Sequence, residues 1–171
     1  MRILAMDIGG TAIKYGILNE SLEILEHGEC KSDGSKGGPH VMENVKRVVR
    51  SFSDYDMIAV STTGQVDHIE GYITFVGNIP NYRGTQVRKI LEDEFHVPVR
   101  VETDLKSAAL GEASMGAGKE FDSFIMLGYG TGIGGCVISG GAPMKPPFCT
   151  AMEFGHFFTH AGPEGRRCSC G

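Results

Sequence analysis

Met6-Asp7-Ile8-Gly9-Gly10-Thr11-Ala12-Ile13-Lys14 decides how this chain is read. An apolar run over Arg2 to Ile8 leads in, two glycines turn the chain, and a second run over Ala12 to Leu18 leads out. That is the pattern of a β-hairpin. Glycines in such a turn permit positive φ and bring bare backbone N–H groups close to a ligand. Thr11 adds a hydroxyl, Lys14 a cation and Asp7 a carboxylate, a set suited to a phosphate chain and its Mg²⁺. Taken alone, the segment reads first as an ordinary hairpin with a charged flank, because short glycine motifs recur by chance.

A second segment has the same architecture. Phe124-Ile125-Met126-Leu127 runs into Gly128-Tyr129-Gly130-Thr131-Gly132-Ile133-Gly134-Gly135, and Cys136-Val137-Ile138 runs out. Such self-similarity implies two related β-units. Their glycine turns are expected to face one another across a cleft and to clamp a phosphate chain.

Composition narrows the function classes. The chain has 171 residues, 41% hydrophobic and 22% charged, as in a globular protein. A net charge of −5 and the absence of a basic stripe argue against a nucleic-acid partner. No apolar run is long enough to span a membrane, and the N-terminus lacks the charged and apolar regions of a signal peptide. A cytoplasmic protein with reduced cysteines is therefore expected. Cys30, Cys136 and Cys149 are scattered, whereas Cys168 and Cys170 fall close together.

Further along, Glu23 to Lys31 reads as a third strand. Pro39 opens a helix with Val41, Val45, Val48, Val49 and Phe52 on one face. Met57 to Ser61 reads as a buried parallel strand, Gly71 to Val76 as another strand, and Thr85 to Phe95 as a helix. Val97 to Glu102 then forms a strand, and an alanine-rich helix follows from Asp104 to Ala117. A second domain would begin near residue 121, with strands over Phe124 to Gly128, Gly135 to Ser139 and Glu153 to Thr159. The expected division is 1–120 and 121–171. Since no helix follows to cover the second sheet, we expect the first part of a longer protein, or a second copy on the open face.

These motifs resemble, in order and over essentially the whole chain, those of the ROK family of sugar kinases. They are Asp7-x-Gly9-Gly10-Thr11-x-x-Lys14, Gly64-x-Val66-Asp67 with Gly71 and Asn78, and Val101-Glu102-Thr103-Asp104 with Ala108-Ala109-Leu110-Gly111-Glu112. Gly130-Thr131-Gly132-Ile133-Gly134-Gly135, Glu153-Phe154-Gly155-His156 and Cys168-Ser169-Cys170-Gly171 complete the series. The resemblance implies an α/β fold of two RNase-H-like domains, in the actin/hexokinase superfamily, closing on ATP and a sugar. The second domain would be incomplete in this chain. It also implies a homo-oligomer such as a dimer.

Residue by residue, the resemblance makes Asp104 the general base that takes a proton from a sugar hydroxyl. A helix N-cap accounts for the same aspartate from sequence alone. Gly64, Asn78, Thr103, Glu153 and His156 would contact the sugar; the family usually has Asn where this chain has Thr103. Asp7 would reach Mg²⁺ through water. Gly9, Gly10, Thr11 and Lys14 would take one part of the phosphate chain, and Thr131, Gly132 and Gly134 another. His156, Cys168 and Cys170, spaced His-x11-Cys-x-Cys, would hold structural Zn²⁺, with a further family cysteine as the fourth ligand. Two other readings stay open. One is a sugar-responsive transcriptional repressor of the same family, for which the hairpin beginning at Arg2 leaves no preceding DNA-binding domain. The other is a non-catalytic sugar-binding fragment.

Overall fold

The computed structural model describes residues 1–130, 132–144, 154–157, 159–160, 162 and 165. The chain divides into two compact units, Met1–Asp104 and Leu105–Gly171. They part ahead of residue 120 because the alanine-rich helix clusters with the second unit.

The first unit is built on a five-stranded sheet. Its strands are β1 (Ile3–Ile8), β2 (Ala12–Leu18), β3 (Ile24–Lys31), β4 (Met57–Thr62) and β7 (Val99–Thr103), in the order β3-β2-β1-β4-β7. β1 pairs antiparallel with β2 and parallel with β4, which in turn pairs parallel with β7. The side-chain period of two sends Leu4, Met6 and Ile8 of β1 to one face. Helix α1 (Gly38–Arg50) meets that face with Val41, Val45, Val48 and Val49, spaced to form one apolar stripe. Pro39 sits in its first turn, where a missing N–H costs nothing. Helix α2 (Val87–Phe95) adds Val87 and Leu91 to the same core.

A two-stranded ribbon, β5 (Gln65–Asp67) with β6 (Tyr72–Phe75), stands beside this sheet. β5 has only three residues, too few for a readable period. Beyond the ribbon, Tyr82 is the largest fully buried side chain among the described residues. Its hydroxyl lies 3.2 Å from Thr62 Oγ1. Burial pushes its pKa up to about 12, against an ordinary tyrosine value of 10.0. The neutral phenol is thus favoured by folding. Its contribution is intact below pH 10 and is lost as pH climbs toward 12, at about 1.4 kcal/mol per pH unit. Urea titrations of Tyr82→Phe should lack that alkaline slope; an unchanged slope would refute the assignment.

The second unit contains α3 (Asp104–Met115, shared at its first residue), a 3-10 turn over Ala117–Glu120, and a sheet in the order β10-β9-β8. These strands are β8 (Phe124–Tyr129), β9 (Ile133–Ser139) and β10 (Ala142–Pro143). Ala109 of α3 packs with Cys136 and Ile138, and Phe124 and Met126 flank them. The alternate residues Ile125, Leu127 and Tyr129 are exposed. A strand was expected over Glu153 to Thr159, of which Glu153 and Phe158 lie outside the described residues; no strand forms among the described ones. Phe154–His156 make a 3-10 turn instead, with the Phe154 and Phe157 rings packed edge to face at 5.3 Å. Among the described residues, no helix is long and apolar enough to cross a membrane.

Candidate active site

The parallel register gathers the expected residues of the first unit at one edge of its sheet. Ile8, Thr62 and Thr103 stand in a single row across β1, β4 and β7. Gly9, Thr63 and Asp104 therefore leave the sheet together, at the carboxyl ends of the three strands. In α/β sheets this edge is where ligands bind. The Thr63 N–H donates to the Ile8 carbonyl at 3.0 Å and ties two of the exits together.

One residue inside the row, Asp7 is exposed and accepts a hydrogen bond at Oδ1 from the Ser61 hydroxyl at 2.7 Å. Lys14 opposes Asp7 across the β1–β2 ladder and is exposed too. Register thus puts the carboxylate, the hydroxyl and the cation on the same face. Ser61 was not expected at the site. A strand residue becomes a site residue only through its parallel partner, which sequence does not specify. An open groove of about 810 Å³ begins at these three residues and runs along that face past Ala5, Gly16 and Leu18.

Neither Gly9 nor Gly10 takes a positive φ. Gly9 donates its N–H to the Ala12 carbonyl at 3.0 Å, closing the turn. The approach to Gly10 is close: a Cβ there would stand 3.0 Å from Asn78 Nδ2. The Asn78 side chain therefore lies against the turn, and two residues far apart in sequence meet. Thr11 is exposed at the tip.

Gly64, between β4 and β5, does have left-handed φ, at 95°. A Cβ there would also meet the Phe75 carbonyl at 2.5 Å. Gly64→Ala should cost about 1–3 kcal/mol in denaturant titrations. A loss below about 0.5 kcal/mol, ordinary for a surface change, would contradict this geometry. At the third strand exit, the Thr103 N–H bonds Glu102 Oε1 at 2.9 Å, and Asp104 is the first residue of α3.

In the second unit, the Gly130 N–H donates to the Gly132 carbonyl at 3.0 Å. The Leu105 side chain packs closely on Gly128 and Gly134. Gly132 faces open space. His156 is exposed on its 3-10 turn. Thr131, Glu153, Cys168 and Cys170 lie outside the described residues. Among those described, no three His, Cys, Asp or Glu side chains cluster as a metal site.

The sequence profile of the ROK family matches residues 3–171, and the chain belongs to that family. A β-glucoside kinase from Listeria monocytogenes is 36% identical over 159 residues, covering 93% of this chain and 54% of that protein. Among solved structures, a ROK family glucokinase from Streptomyces griseus, in complex with glucose and AMPPNP, superposes with a TM-score of 0.87. It is 30% identical, and the match covers 100% of this chain and 54% of that one. A ROK hexokinase from Thermus thermophilus gives a TM-score of 0.80 at 31% identity, with 100% and 57% covered. The fold is thus the α/β fold of the actin/hexokinase superfamily. The chain spans about half the length of the curated relatives it matches.

Proposed function

We propose that the whole protein transfers the γ-phosphoryl group of ATP to a hydroxyl of a hexose or hexose derivative. The observation that carries this reading is the single row of strand exits, with Asp7, the Gly9–Thr11 turn, Asn78 and Asp104 near one edge. Asp104 accepts the hydroxyl proton as the sugar oxygen bonds to the γ-phosphorus. The bond from that phosphorus to the β–γ bridging oxygen breaks, and ADP leaves.

Backbone N–H groups of the Gly9–Thr11 turn, with Lys14, orient the phosphates; Thr131, Gly132 and Gly134 supply the second turn. Such preorganised donors are the main contribution a protein makes to this chemistry. Gly64, Asn78, Thr103, Glu153 and His156 are the sugar-facing set. Asp7, exposed and oriented by Ser61, suits Mg²⁺ bound through water, and that ion would neutralise charge on the phosphates. Residues 1–120 would form the first domain and 121–171 the opening of the second, in a cytoplasmic homodimer.

Structural Zn²⁺ belongs to the same reading. His156, Cys168 and Cys170 offer the nitrogen and sulfur donors that zinc prefers, and a fourth would come from elsewhere in the whole protein. Elemental analysis of the full-length protein should find about one zinc per chain, consistent with a closed four-ligand site. Metal-free, fully folded protein would remove zinc from the reading.

The test is ADP release by the full-length protein over glucose, fructose, mannose, N-acetylmannosamine and a β-glucoside. At least one sugar should stimulate release well above the sugar-free rate. No stimulation by any of them would overturn the proposal.

A further inference from the structure

Residues 32–38 bridge the two loops that carry the phosphate turn and Asn78. At one end, the Ser32 N–H donates to the Thr11 carbonyl at 3.0 Å and the Gly34 N–H to the Gly10 carbonyl at 3.1 Å. At the other, the Gly38 N–H donates to the Pro80 carbonyl at 2.7 Å, two residues past Asn78. Both approaches are too close for a side chain. A Cβ on Gly34 would stand 2.5 Å from the Gly10 carbonyl oxygen, and one on Gly38 2.6 Å from Tyr82 Cα. Backbone atoms cannot yield there as the end of a flexible side chain would.

Asn44 explains how the bridge is rooted. It interrupts the valine face of α1 and is only 6% exposed. A buried amide is costly unless hydrogen-bonded. Its Nδ2 donates to the Ser32 carbonyl at 3.1 Å, with the Lys31 carbonyl at 3.4 Å. The one polar side chain on this helix face thus grips the start of the bridging segment.

We propose that residues 32–38, anchored by Asn44, are a clasp that fixes the phosphate turn relative to the Asn78 loop. Gly34, Gly38 and Asn44 are positioning residues. The kinetic consequence rests on the kinase reading; the consequence for backbone exchange does not. Because each end of the clasp holds a different loop, its two glycines act on different substrates. In the full-length protein, Gly34→Ala should raise KM for ATP about tenfold, the equivalent of one lost hydrogen bond, with KM for sugar little changed. Gly38→Ala should do the reverse. A merely structural role would lower the active fraction and move neither KM.

Hydrogen exchange supplies the second readout and also serves if a glycine variant does not fold. In Asn44→Ala, the Ser32 and Gly34 amides should exchange at least about tenfold faster while α2 and β7 amides keep their rates. Uniform acceleration, or none at Ser32 and Gly34, would overturn the clasp. So would glycine variants that shift both KM values together or neither. If the wild-type protein phosphorylates no sugar, the kinase reading fails and exchange alone decides the clasp.

Discussion

Asp104→Asn in the full-length protein should lower kcat by about 10²–10⁴-fold, the usual contribution of a positioned proton acceptor. The amide is nearly the same size as the carboxylate, and Asn serves a helix start as well as Asp does. The α3 N-terminus should therefore survive the change. Only the charge in the first turn is lost, worth about 0.3–1 kcal/mol in stability. Sugar affinity, measured by calorimetry, should stay close to that of wild type. This pairing separates the two accounts of Asp104. Either account allows the same small loss of stability; a helix-capping role predicts turnover intact, and a base predicts turnover gone. Turnover within a few-fold of wild type would exclude Asp104 as the base.

Tyr82→Ala should have the largest effect on folding. Tyr82 has no exposed surface and sits under the loop that carries Asn78, its Cα against Gly38 and its hydroxyl on Thr62. Removing a buried aromatic ring typically costs about 3–5 kcal/mol. In a unit of this size each kcal/mol shifts Tm by about 4–8 °C, so a fall of more than about 10 °C is expected in thermal melts. Tyr82→Phe keeps the ring and should lose far less near neutral pH. A Tyr82→Ala variant melting within a few degrees of wild type would mean that the loop is not anchored there.

The sequence was most legible where local pattern and tertiary role agree. The strand over Ala12–Leu18 has the bounds expected, because apolar alternation and the glycine turn mark both ends. The valine stripe of α1 likewise announced its buried face. What failed to show in the sequence depends on distant partners. The turn glycines were read as permitting positive φ; neither takes it, and Gly10 lies against the Asn78 side chain, which no local pattern announced. Gly134 was read as a phosphate contact; that the Leu105 side chain also packs on it had no local signal. Ser61 and Asn44 carry no local signal; each is placed by a partner more than ten residues away. The apolar residues Phe154 and Phe157 suggested a strand by composition, but they pack on each other across a single tight turn.

The central claim places both substrates at the carboxyl ends of β1, β4 and β7. Amide chemical-shift mapping of the full-length protein, titrated with glucose and a non-hydrolysable ATP analogue, tests it most directly. The nucleotide should shift Gly10 and Thr11 most strongly within Met1–Asp104, and the sugar should shift Asn78 and Asp104. Shifts gathered instead around Arg2, Asp56 and Val99, at the opposite ends of the same strands, would contradict it.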